Sequence, residues 1–257
     1  MIQWPSIREG GSGLLPRQHF MSNKAIIWDY DGTLVDTRVK NFEVTKRLMH
    51  RLLGARSGEF PALRRLDQYV QATRTAENWR ALYRNEFGMT EGEIDEAGRL
   101  WTEFQLTDDG ESTLFEGIEE VIPALSVYAQ LIFSQNSRSN ILRDLKKKGL
   151  LQHFVDVVGY EEVASARQKP APDGLLACLS KIEPLPRELV FFIGDHETDT
   201  LCGHNTNVVL AGRNSDARII NIAALYGSEN GATSRWNIQP DHMVNHPRGI
   251  VEYIQTY

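Results

Sequence analysis

Residues 24–36 read KAIIWDYDGTLVD. The apolar run from Ala25 to Trp28 stops at Asp29, and Asp31 follows two places later. A short apolar run bounded by polar residues predicts a buried strand over 24–28, with Asp29 opening a loop. Two carboxylates at that spacing repel each other, and burial raises the cost of ionising either one. Either they face water, or something positive sits between them.

Beyond Asp36 the pattern turns helical. Apolar residues at helical spacing predict helices over 39–53, 61–72, 76–87 and 91–105. Leu63, Tyr69, Trp79, Leu82, Tyr83, Phe87, Ile94 and Trp101 are among their apolar positions, enough surface for a small bundle of its own. The polar stretch 107–112 reads as a linker that closes this region. From Glu116 onward short apolar strands alternate with helices. Strands are predicted at 130–133, 154–158, 189–193, 218–223 and 242–244, and helices at 118–128, 139–148, 173–181, 198–211 and 247–254. Alternation of this kind implies a parallel sheet covered on both faces. The expected fold class is α/β: a three-layer Rossmann-like core with a parallel sheet, plus an inserted α-helical cap. Residues 23–36 and 113–257 form the core, 37–112 the cap, and 1–22 a disordered N-terminal extension.

Composition narrows the partners. The chain has 257 residues, a net charge of -6 and a pI of about 5.7, so no basic field invites nucleic acid or an anionic membrane surface. No apolar run approaches the ~20 residues needed to cross a bilayer. Residues 1–20 lack the continuous apolar segment of a signal peptide, and a cytoplasmic location is expected. Cys178 and Cys202 form no disulfide framework and read as small buried apolar side chains. Nothing in the sequence indicates an oligomeric state.

Ligands of open parallel sheets bind outside the carboxyl ends of the strands. Four such places carry reactive groups: Asp29 and Asp31, then Ser134, then Lys169 in RQKPAPD, then Asp195 and Asp199 in GDHETD. Four carboxylates, a hydroxyl and an ammonium would converge on one sheet edge. DYDGTLVD, FSQN, QKPAP and GDHETD, in that order, resemble the four signature motifs of the haloacid dehalogenase superfamily. The helical insertion resembles the cap of its phosphoglycolate-phosphatase-like branch. The resemblance implies an Mg²⁺-dependent phosphotransferase, most often a phosphatase.

The chemistry asks for the same parts. A phosphate ester is anionic, so an acidic attacker needs that charge neutralised, and a hard divalent cation is what two aspartates would share. Asp29 then forms an aspartyl-phosphate, and Asp31 protonates the leaving oxygen and later deprotonates the attacking water. By similarity, the metal is held by the Asp29 carboxylate, the Asp31 backbone carbonyl and Asp195, with Asp199 nearby. Ser134 and Lys169 would hold phosphoryl oxygens, and Gly32 and Thr33 would form the tight turn beside the phosphate. The expected partner is a small-molecule phosphate ester. Asp31 argues against a haloalkanoate, because the dehalogenases themselves lack this acid/base aspartate.

Two rivals stand: a phosphomutase of the β-phosphoglucomutase kind, sharing every core residue named, and a catalytically idle phosphate-binding module. Arg74 and Arg38 are the candidate substrate contacts from the cap side. Asn136 is expected to cap the next helix, and His196 is expected to be a solvent-facing or hydrogen-bonded loop residue. Either Asn207 ends the helix after Asp199 or the helix runs on to Gly212. Trp79 and Trp101 read as cap core, Lys146–Lys148 as a solvated run, and His242 with His246 as no metal pair.

Overall fold

The computed structural model describes residues 22–76, 78–108, 110–182, 189–227 and 233–257. Its central strand, β1 (Ala25–Trp28), is wholly buried. Side chains alternate across it. Ile26 and Trp28 enter one apolar layer with Ile118, Ile122 and Phe191, while Ala25 and Ile27 enter a second with Leu175, Cys178 and Phe192. Burial on both faces is why the strand reads as an unbroken apolar run. The buried Trp28 indole N–H donates to Gln130 Oε1 (3.1 Å), which satisfies the polar atom that a tryptophan carries into a core.

After β1 the chain makes β2 (Val35–Asp36) and helices α1 (Arg38–Leu53), α2 (Leu66–Thr75), α3 (Trp79–Glu86) and α4 (Glu91–Thr107), then returns through β3 (Thr113–Leu114). It continues as α5 (Ile118–Ala124), β4 (Ala129–Phe133), α6 (Arg138–Lys147), β5 (Asp156–Val158) and α7 (Asp173–Ser180). The last elements are β6 (Leu189–Gly194), α8 (Glu197–Gly212), β7 (Arg218–Ala224), β8 (His242–Val244) and α9 (Arg248–Ile254). The main sheet has the order β5-β4-β1-β6-β7-β8, and its strands pair in parallel throughout. Chain order reverses on either side of β1, so the crevice for a ligand lies above its carboxyl end. Trp28 pairs with both Ile132 and Ile193, which sets the ends of β1, β4 and β6 level.

Helices α1 to α4 enclose an apolar cluster of their own, including Leu48, Met49, Leu82, Phe87 and Ile94. Thr90 and Glu93 form a reciprocal capping box at the start of α4. The expected helix over 61–72 is interrupted. Pro61–Leu63 is a 3-10 turn, and Arg65 is extended before α2 begins at Leu66. The ribbon of β2 and β3 had no signature, because two residues per strand are too few for an alternation to show. The ribbon marks where the chain leaves the sheet and returns to it. The helix after Asp199 runs to Gly212, and Asn207 holds the main chain of Ile219 through both amide atoms instead of ending the helix. Of the expected disordered extension over 1–22, residues 1–21 lie outside the described residues.

Candidate active site

Asp29 follows β1, and its N–H donates to the Ile193 carbonyl (2.7 Å), which anchors the turn to the neighbouring strand. Gly32 adopts φ +84°, and a Cβ there would lie 2.3 Å from Asp195 Oδ2. Only glycine permits both the left-handed backbone and the close approach of that carboxylate. On the opposite strand, a Cβ on Gly194 would lie 2.4 Å from Asp199, so the carboxylate of α8 reaches back over the strand end for the same reason.

The aspartates converge. Asp29, Asp195 and Asp199 each offer an oxygen within 4.8 Å of the others. Lys169 Nζ bonds Asp29 Oδ1 at 2.5 Å and Asp199 Oδ1 at 2.8 Å, with all three side chains buried. Burial pushes the Asp29 carboxyl well above the usual carboxylate range; Lys169 opposes that rise, and the charges of Asp199 and Asp195 add to it. Asp195 is pushed up to about 7 by burial and by the charge of Asp199. Burial disfavours the Lys169 ammonium, but Asp199 and Asp29 together outweigh that and hold it charged. One ammonium faces four carboxylates once Asp31 is included. Raised carboxyl groups in a tight set of hard oxygen donors are what a divalent cation would relieve, so the residues fit such an ion.

Asp31 is held by amides. Asn136 Nδ2 donates to both of its oxygens, at 3.0 and 3.2 Å, while Asn41 Nδ2 reaches from α1 at 3.4 Å and Ser134 Oγ donates at 3.4 Å. The cap of α6 is Ser137, whose hydroxyl accepts from the Asn140 N–H, so the expectation that Asn136 serves as the cap is corrected. Asn136 was passed over because a serine one place later competes for the same helix end. Asn41 carried no signal, since only the path of the inserted helices brings it over the strand ends.

Other placements differ from expectation. The cavity above the aspartates is lined by Asp29, Asp31, Ser134 and Lys169, but by neither Gly32 nor Thr33. The Gly32 N–H is bonded to the Val35 carbonyl, and Thr33 Oγ1 is buried with no partner among the described residues. Arg38 and Arg74 are absent from the wall. Arg38 pairs with Asp36, and both guanidinium groups reach the Gly227 carbonyl, at 3.3 and 3.4 Å. His196 caps α8: its Nδ1 accepts from the Thr198 N–H, and its Nε2 lies 3.3 Å from the Arg74 carbonyl across the cleft. Lys148 is no solvated lysine; it binds the Ser112 carbonyl and pairs with Asp144. His242 stacks on Tyr253 and His246 Nδ1 accepts from the Arg248 N–H, so the two histidines do not meet as a metal pair. Cys178 and Cys202 are buried and free.

Comparison with known proteins agrees with this geometry. The chain is 28% identical over 194 residues to pyrophosphatase PpaX of Listeria monocytogenes serotype 4b (strain CLIP80459), a match covering 73% of this chain and 81% of the relative. Its fold superimposes on a predicted phosphoglycolate phosphatase from Haemophilus somnus 129pt with a TM-score of 0.66 and 17% identity, covering 91% of this chain and 100% of the other. A haloacid dehalogenase-like family hydrolase from Streptococcus pneumoniae gives 0.64 at 20% identity, covering 90% and 98%. The model of the haloacid dehalogenase-like hydrolases matches residues 26–212, which contain every aspartate of the site and Lys169. The chain belongs to the haloacid dehalogenase-like hydrolase family.

Proposed function

We propose that the chain is a divalent-cation-dependent phosphatase of small phosphomonoesters, with Mg²⁺ as the ion and Asp29 as nucleophile. The observation that carries this reading is the contact of Lys169 with both Asp29 and Asp199 at the floor of a cavity of about 250 Å³. A cation held by Asp29, Asp195 and Asp199 would supply charge neutralisation for the incoming phosphate.

The chain's own groups do the rest. Lys169 occupies Asp29 Oδ1, which leaves Oδ2 to attack phosphorus. As the new P–O bond forms, the bond to the leaving alcohol breaks, and Asp31 gives its proton to that oxygen. Water then attacks the aspartyl-phosphate, Asp31 takes its proton, and phosphate departs with Asp29 restored. Asn136 and Asn41 keep the Asp31 carboxylate facing the leaving oxygen. The helical body of α1 to α4 acts as a cap: contacts such as Trp79 Nε1 to Gln168 Oε1 (3.3 Å) and Tyr160 with Thr102 (3.1 Å) seat it over the strand ends and exclude water. The mutase and idle-module alternatives gain no specific support from the site.

The test is hydrolysis of an aryl phosphate by purified protein with Mg²⁺, with excess chelator, and by Asp29→Asn. Turnover should cease with chelator and fall by on the order of 10⁴-fold or more in the variant. Undiminished turnover in either case rejects the mechanism.

A further inference from the structure

Two of the three relatives named above are called after substrates that carry a second anionic group beyond the phosphoryl group to be transferred: a further phosphate in one, a carboxylate in the other. Among the described residues the cavity offers such a group no basic side chain beyond Lys169 and His196. It measures about 250 Å³, and its outer wall comes from the helical body: Tyr69, Trp79, Leu82, Tyr83, Ala97 and Trp101. Trp79 and Trp101, expected in the interior of the bundle, are thus on the cavity side of it.

Three polar groups of that wall are engaged with protein. Tyr69 Oη pairs with Thr45 Oγ1 (3.0 Å), Trp79 Nε1 with Gln168, and Thr73 Oγ1 with the Val70 carbonyl (2.9 Å). Burial pushes Tyr69 up to about 12, so its phenol stays neutral. Among the described residues the wall contains two basic side chains, and both are on the floor. Lys169 is bound to two aspartates, and His196 Nδ1 is taken up by the Thr198 N–H at the start of α8. The arginines nearest the rim, Arg38 and Arg74, turn away to Gly227. A second anion would therefore be desolvated beside four carboxylates and aromatic rings without a partner.

Resting on the phosphatase reading, we infer that the natural substrate is a phosphomonoester of a compact, uncharged, apolar alcohol, with the ring or branched chain of that alcohol packed against Trp79, Trp101 and Tyr83. Size agrees with polarity. A cavity of about 150 Å³ takes up a benzene-sized molecule, which leaves roughly 100 Å³ of this one for the phosphoryl group. The Asn78 amide nitrogen, without a partner among the described residues, offers a single donor to an ether or hydroxyl oxygen on the alcohol.

The experiment compares kcat/KM with Mg²⁺ for benzyl phosphate, methyl phosphate, phosphoglycolate and pyrophosphate. Benzyl phosphate should lead phosphoglycolate by about 100-fold, a difference of about 2.8 kcal/mol at 1.4 kcal/mol per tenfold. Trp101→Ala should lower kcat/KM for benzyl phosphate by about 10-fold or more, and by more than for methyl phosphate, because methyl phosphate does not reach the ring. Thr73→Arg, which adds a cation to the wall, should narrow the gap to phosphoglycolate. Calorimetry with Asp29→Asn should show benzylphosphonate binding more tightly than phosphonoacetate. Preference for phosphoglycolate or pyrophosphate overturns this inference and leaves the phosphatase reading standing. Absence of turnover on all four compounds overturns both.

Discussion

Asn136 is the residue whose role most exceeds its sequence signal. Its amide spans both oxygens of Asp31, the acid and base of the proposed reaction, and presents that carboxylate to the leaving oxygen. General acid catalysis matters most when the leaving group is a poor one, because an alkoxide needs its proton and a nitrophenolate does not. Asn136→Ala is therefore expected to lower kcat for alkyl phosphates by about 10- to 100-fold and for p-nitrophenyl phosphate by much less. A plot of log kcat against leaving-group pKa should steepen in the variant. Parallel plots would show that Asn136 does not act through Asp31. The cysteines show the opposite case, since burial pushes Cys202 up to about 12 and leaves it a packing residue with no nucleophilic role.

At the scale of elements, the β2–β3 ribbon and its surroundings tie the helical body to the core. Asp144 on α6 is the knot. It accepts from Tyr30 Oη in the catalytic loop and from Ser112 Oγ (3.0 Å) in the returning linker, and it pairs with Lys148 (3.3 Å). Lys148 in turn binds the Ser112 carbonyl. The network is mostly buried, so removing the acceptor leaves hydroxyl donors unpaired in a low-dielectric setting. Asp144→Ala is expected to destabilise the protein by about 2–3 kcal/mol in urea unfolding. A loss under about 0.5 kcal/mol would show that the knot carries no weight.

For the whole molecule, one floor of negative charge decides much of the behaviour. The metal-free protein holds Asp29, Asp195 and Asp199 together against their repulsion, with Lys169 as the cation between them. A cation that binds the folded state alone stabilises it by about 2.7 kcal/mol at a hundredfold excess over Kd. For a chain of this size that corresponds to a rise in Tm of about 5 °C or more. Asp195→Asn should raise the metal-free Tm and shrink the Mg²⁺-induced rise to about 1 °C, as read by scanning fluorimetry. An unchanged rise in the variant would remove Asp195 from the set of ligands.

The sheet and the reactive edge were legible in the sequence for a local reason. A strand buried on both faces must be apolar throughout, and a carboxylate at its end is visible as an abrupt stop, as at Trp28-Asp29 and Gly194-Asp195. Spacing along the chain then orders the four clusters, because each follows its own strand. What the tertiary structure alone decided is which side chains from distant segments face one another. Arginine in a helix carries no mark of direction, and Arg38 and Arg74 turn to Gly227 because that carbonyl lies on the rim of the core. Trp79 and Trp101 have the same helical spacing whether they point into the bundle or into the cleft, and only the seating of α3 and α4 on Gln168 and Tyr160 makes them the wall of the cavity. Helical periodicity reports that a face is buried; the element packed against that face, more than a hundred residues away for some of these contacts, determines what it is buried against.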